Sequence, residues 1–223
     1  KAAAGGATKA AAGGAKPAAA EGATSWRVLL SPSLLTLIGV RVLMMVQFHT
    51  VTSNMGLTIK RGLGGTAEDM DFVLSYFGGI FALFQLTWVP AMTAVCPKPT
   101  TALPIALALT VVGRASTAAF GSTPTTFLAH YTLYMLGQSW HVPVLISLIS
   151  SHAPRGAVSL VMGATKFAEG VATVSGPMVG GILVHHYGAF APLWFGAGIC
   201  GAALLVVVAY ASRQPAGESP KQD

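Results

Sequence analysis

Between residues 28 and 212 the chain alternates long apolar runs with short polar turns. Six runs can be delimited: Ser33–Ile59, Phe72–Cys96, Thr101–Gly121, Pro124–Ser150, Ala157–Val184 and Phe190–Ala211. Each holds about 20 to 28 residues, and at 1.5 Å per helical residue each reaches across a hydrocarbon core of roughly 30 Å. No charge occurs from Phe72 to Cys96, from Gly121 to Ala153, or from Phe190 to Ser212. The first, third and fifth runs hold ionisable groups, among them Arg41, Arg114, Lys166 and Glu169. Long uncharged runs of this kind predict helices, and so an all-α, polytopic membrane protein with six transmembrane helices. Pro90, Pro104, Pro143 and Pro177 fall inside the predicted spans. Such prolines are tolerated where neighbours satisfy the carbonyls they free, and they mark either static kinks or bends that move.

Composition supports the same class. Of 223 residues 53% are hydrophobic and 9% charged, whereas a soluble domain carries about 25% charged residues. That is too little charge to coat a soluble surface. Collagen fails because the glycines have no three-residue period. Disorder fails for most of the chain because apolar content is too high. The net charge of +6 comes mostly from tail and loop residues, where it sets orientation. No aromatic residues interleave with basic ones, so a nucleic-acid partner is not expected. Cys96 and Cys200 are far apart and form neither a metal spacing nor a redox pair. They are expected to be buried thiols.

Three segments follow from these patterns. Residues 1–27 repeat Ala, Gly and Lys and are expected to form a flexible tail or linker, one that a partner protein holds. Residues 28–212 form the six-helix domain, and 213–223 a short polar tail. A first residue that is Lys1 rather than Met is expected of a processed chain or a piece of a longer one, and no signal peptide opens it. Six crossings leave both termini on one side. That side collects Lys1, Lys9, Lys16, Arg27, Lys98, Arg155, Arg213 and Lys221, against Lys60 and Arg61 opposite. The excess places both termini on the cytoplasmic-equivalent face of an unspecified membrane.

The fifth run opens on Arg155-Gly156 and continues through small residues at Gly163, Ala164, Ala168, Gly170 and Ala172. It then reads Gly176-Pro177-Met178-Val179-Gly180-Gly181 and ends at His185-His186-Tyr187-Gly188, before Phe190-Ala191-Pro192-Leu193-Trp194-Phe195. This order resembles helices eleven and twelve of drug:proton antiporters, and the six runs together resemble the C-terminal half of a major facilitator superfamily transporter. The resemblance implies a twelve-helix assembly with substrate between two halves. The partner is then a second six-helix half or a second copy. Gly176, Pro177, Gly180 and Gly181 are the implied helix-packing motif, since small residues let helices approach. The family's Gly–Asp–Arg–Gly–Arg loop signature is replaced by residues 90–99, where only Lys98 is charged. That departure leaves the gate latch implied by the family without its charges.

Counting along the helices, Arg41 lies about 12 Å deep, Lys166 and Glu169 about 14 and 18 Å, His141 and Gln138 about 14 and 18 Å, and Gln85 about 16 Å. Six polar side chains from four helices are thus expected in one mid-membrane layer. Ionisable groups avoid lipid, so they should point inward. Lys166 and Glu169, three residues apart, share a face. Arg41 reaches Glu169 if the first and fifth helices are neighbours, as the resemblance implies. Two readings stay open. In one, Glu169 couples protons, Arg41 or Lys166 holds an anionic substrate, and the chain is half of a proton-coupled secondary transporter. In the other, the ion pairs only lock helices together, and the chain is an accessory subunit of a larger membrane complex. His141 is expected to shuttle protons or to be a hydrogen-bonded structural residue. Arg114 is expected to snorkel near the far surface. No nucleophile set, phosphate loop or HExxH occurs, and His185-His186 lacks further ligands, so neither an enzyme, a cofactor nor a metal is expected.

Overall fold

A computed structural model of the chain describes residues 26–154 and 156–213, apart from the side chains of Arg27 and Val28. The expectations for the tail, for the C-terminal residues from 214 onward and for Arg155 fall outside the described residues. Among those described, every regular element is helical. A 3₁₀ turn, Trp26–Leu30, leads into α1, Pro32–Thr52, whose first position is a proline that needs no helical donor. A single turn, α2 (Met55–Leu57), and a π-helical turn, Thr58–Gly62, extend that rod to the far end.

α3 spans Ala67–Leu86 and begins five residues before the apolar run that predicts it. The reason is a capping box. Asp69 accepts from the Thr66 N–H at 2.7 Å while the Thr66 hydroxyl accepts from the Asp69 N–H at 3.3 Å. Satisfied donors and favourable dipole placement draw Glu68 and Asp69 into the first turn. The rod breaks at Thr87 and resumes as α4, Trp88–Val95, three residues short of Pro90 in the chain. α5 (Pro99–Phe120) and α6 (Pro124–His152) each start on proline, and α6 carries a second capping box between Thr123 and Thr126. α7 (Val158–Tyr187) stops at Gly188, whose φ of 93° suits glycine. α8 spans Ala191–Arg213.

Five of these rods are long and apolar enough to cross a membrane by length and composition: α1, α3 with α4, α5, α7 and α8. The sixth, α6, has the length at 29 residues but is diluted by Thr, Gln, Ser and His. Its polarity reflects its position. α6 packs against α1, α3, α4, α5 and α7 and has little face left for lipid. Its buried set runs from Phe127 to Ile149.

The main contacts are α5 on α6, α1 on α7, α5 on α8, α1 on α8 and α3 on α6. Exchanging α1 with α6, α3 with α7 and α5 with α8 maps this set onto itself. The bundle is therefore two three-helix units that trade their middle helices. Three apolar clusters fill it. Leu37, Met44, Leu107, Leu145 and Ala203 belong to the one nearer the C-terminal ends of α6 and α8. Val51, Phe77, Phe127, Tyr131 and Leu193 belong to the second, and Ala102, Ala106 and Trp140, with Trp88 and Met92 of α4 against them, form the third. Cys200 is buried, but Cys96 is half-exposed, so only one of the two expected buried thiols is one.

Close approach is concentrated at two seams. A Cβ on Gly176 would stand 2.6 Å from the His49 Cβ, and one on Gly180 would run into the Thr50 carbonyl and the Asn54 amide. Gly181, included in the expected packing motif, faces open space. It lies five residues beyond Gly176 and so off the face that Gly176 and Gly180 share. The tighter seam joins α5 to α6, where a Cβ on Gly113 would strike the Tyr134 backbone and one on Gly137 would strike the Thr110 backbone.

Candidate functional site

Arg41 is the tenth residue of α1 and Glu169 the twelfth of α7, which sets them about 14 and 17 Å along their helices. The α1–α7 seam brings them together. Arg41 Nε donates to Glu169 Oε1 at 2.6 Å, and Lys166 Nζ donates to Glu169 Oε2 at 2.8 Å. Both carboxylate oxygens are engaged, one by each cation. Among the described residues these are the two salt bridges. Arg41 and Glu169 are nearly enclosed, at 5% and 7% exposure. The Lys166 side chain is 63% exposed. Arg41 Nη1 is buried with no hydrogen-bond partner in the structure, so the guanidinium retains an unused donor at the seam.

The seam continues outward as a file of polar contacts. Thr173 donates to the Glu169 carbonyl at 2.9 Å and meets His49 Nε2 at 3.0 Å. Asn54 Nδ2 donates to the Thr50 carbonyl at 2.9 Å and reaches the Pro177 carbonyl at 3.5 Å. Thr58 donates to the Ala189 carbonyl at 2.8 Å. His49 was not among the expected site residues. Its signal was present, since it lies eight residues beyond Arg41, about two helical turns along the same face.

The remaining expected residues do not converge on Glu169. Gln85 Nε2 donates to the Ser139 carbonyl at 3.0 Å. That carbonyl would serve the N–H of residue 143, which is proline and has none. Gln85 thus staples α3 to α6 by filling a gap that Pro143 creates. Gln138 accepts from the Tyr134 hydroxyl at 3.0 Å and belongs to a different cluster. His141 is fully buried, and its Nδ1 lies 3.2 Å from the carbonyl of Gly137, one turn back on its own helix.

The second cluster centres on Arg114. The expectation that it snorkels is overturned: its exposure is 0%. Its Nη2 donates to Gln47 Oε1 at 2.9 Å, and Gln47 Nε2 donates to the Tyr134 hydroxyl at 3.3 Å. The guanidinium carbon stands 3.5 Å from the Tyr134 ring centre and 5.3 Å from that of Tyr131. α5 presents Arg114 on the face that packs into α1, α6 and α8, so the side chain has no path to the surface. Aromatic faces stabilise a desolvated guanidinium by about 2 kcal/mol or more. No carboxylate pairs with it among the described residues. The cluster binds α1, α5 and α6 into one body.

The two charged groups therefore differ in kind. Arg114 is enclosed by its own bundle. The Arg41–Glu169–Lys166 triad is open on the Lys166 side. Beside Lys166, the outward face of α7 forms an apolar groove of about 520 Å³ lined by Phe167, Gly170, Val171, Val174, Ser175 and Met178.

A family model described as Major Facilitator Superfamily matches residues 17–223. No curated protein matches the chain.

Proposed function

The chain belongs to the major facilitator superfamily, a family of integral membrane transporters, and from that premise we propose that it is one half of a proton-coupled secondary transporter. The observation that carries this reading is the open ion-pair triad at mid-depth. An ammonium facing lipid costs several kcal/mol. A Lys166 side chain that is 63% exposed, this far from either end of α7, is therefore accounted for by a polar cavity or a second bundle on that face. The apolar groove between Phe167 and Met178 is suited to a second six-helix half or a second copy. Glu169 is the proton-carrying group, and Arg41 and Lys166 set how tightly it holds the proton. Both termini lie on the cytoplasmic-equivalent face, as the distribution of Lys and Arg argues. Substrate moves by rocking of the two bundles around this site.

The test is uptake by the chain reconstituted in liposomes under an imposed pH gradient. Glu169→Gln is expected to abolish proton-driven uptake. Unchanged uptake in that variant removes Glu169 from the mechanism. A second reading, an accessory subunit of a larger membrane complex, draws support from residues 90–99, where the charged gate signature is missing. Gentle solubilisation followed by a native size measurement separates the two. Co-migration with many other chains favours the accessory role, and migration as a small free particle opposes it.

A further inference from the structure

Resting on the transport reading above, we propose that the Arg41–Glu169–Lys166 site takes a monovalent organic anion and carries it with one proton in the same direction. The first argument is a census of charge. Glu169 is the only acidic residue between Asp71 and Glu218, and it is held by two cations. A cationic substrate would meet a carboxylate already engaged at both oxygens and would add a third positive charge. An anionic substrate meets two cations that share a single counter-ion.

The second argument is geometric. Arg41 uses Nε on Glu169 and leaves Nη1 without a hydrogen-bond partner. Lys166 gives one of its three N–H donors to Oε2, on a side chain that is mostly exposed. Substrate oxygens can therefore approach both cations from the open side. Full engagement requires that the carboxylate let them go.

Anion and carboxylate thus compete for the same two cations, and that competition decides the sense of coupling. Protonating Glu169 removes its charge and releases Arg41 and Lys166 to the substrate. Binding the substrate removes the cations that hold Glu169 ionised. Each event favours the other by the same factor, as linkage requires. The proton comes from water, forms one O–H bond on the Glu169 carboxylate, and leaves to water on the opposite side. The charges balance. Empty, the site holds two cations and a carboxylate, a net single positive charge. Loaded, it holds two cations, a neutral carboxylic acid and the anion, again a net single positive charge. Anion and proton cross together and no net charge moves. This is the reverse in sense of the antiport that the likeness to drug:proton antiporters implies.

Other titratable groups lie close by. From α1, His49 is bonded to Thr173. From α6, His141 lies within hydrogen-bond distance of the Gly137 carbonyl. α8 carries no charged side chain from Ala191 to Ser212. On it, Tyr210 is bonded to His152, and Cys200 is buried in an apolar cluster. None of these replaces either cation on the carboxylate.

The experiment uses the full chain in lipid nanodiscs and in liposomes. Benzoate, lactate and acetate, each a monoanion at neutral pH, are the anionic probes, and benzylammonium and choline the cationic ones. At least one anion is expected to bind with uptake of one proton, its affinity rising up to about tenfold for each unit the pH is lowered. Uptake of that anion should ignore a membrane potential set by potassium and valinomycin. Glu169→Gln should bind the same anion with no pH dependence. Lys166→Met, a change at an exposed side chain, should weaken binding at least tenfold. Preference for a cation, proton release on binding, or uptake driven by potential would overturn the proposal while leaving transport intact. Failure of every anion to bind, with the proton-driven uptake described above intact, would overturn this proposal alone, and loss of that uptake as well would remove the transport reading.

Discussion

Replacing Gln85 with leucine tests how the α3–α6 contact is held. The substitution removes the amide that donates to the Ser139 carbonyl at 3.0 Å. That carbonyl has lost its helical donor because residue 143, four places on, is proline. Interhelical hydrogen bonds inside membrane proteins average about 0.6 kcal/mol and reach about 1.7. Leaving a buried acceptor unserved costs about 1–3 kcal/mol. We expect Gln85→Leu to lower stability by about 1–2 kcal/mol, within the range set by these two limits. Pro143→Ala restores an N–H four residues from Ser139, so the carbonyl can be satisfied within α6. In that background Gln85→Leu should cost less, giving a coupling of about 1 kcal/mol in the double-mutant cycle. The assay is reversible unfolding in mixed micelles for the parent, both single variants and the double variant. Equal cost of Gln85→Leu in both backgrounds would refute the reasoning, because the carbonyl freed by Pro143 would then not be what Gln85 serves.

The other predictions concern the seams and the buried cation. Gly180→Ala should destabilise by about 1–3 kcal/mol through overpacking against Thr50 and Asn54. Gly181→Ala, with nothing within 4 Å, should be neutral or slightly stabilising because alanine favours helix. Equal effects of the two in the same unfolding assay would contradict the assigned seam. Arg114→Lys should cost about 2 kcal/mol or more, since a compact ammonium cannot reproduce the planar stack on Tyr134. A Lys variant as stable as the parent would show that charge alone, rather than guanidinium geometry, holds α1, α5 and α6 together.

The membrane class was written in runs of uncharged residues, because a hydrocarbon environment penalises charge wherever it occurs along a helix. Segment length supplied the number of rods for the same reason. Helix starts were less legible. Asp69 and Glu68 look like loop residues by hydropathy but belong to α3, since a capping box answers to backbone donors rather than to polarity. The Lys166–Glu169 pair was visible as an i,i+3 spacing, which is local geometry.

Where each polar side chain points was decided by packing. Arg114 resembles a snorkelling residue on the chain alone, and only the arrangement of α1, α6 and α8 around α5 closes every route to the surface. Gln85 and Gln138 share a depth with Glu169 but instead serve the Ser139 carbonyl, which Pro143 leaves without a helical donor, and the Tyr134 hydroxyl. Depth along a helix follows from counting residues, whereas azimuth depends on which neighbour each helix selects. Hydropathy is therefore a property of the sequence by itself, and partnership among buried polar groups is a property of the tertiary contacts that bring distant residues together.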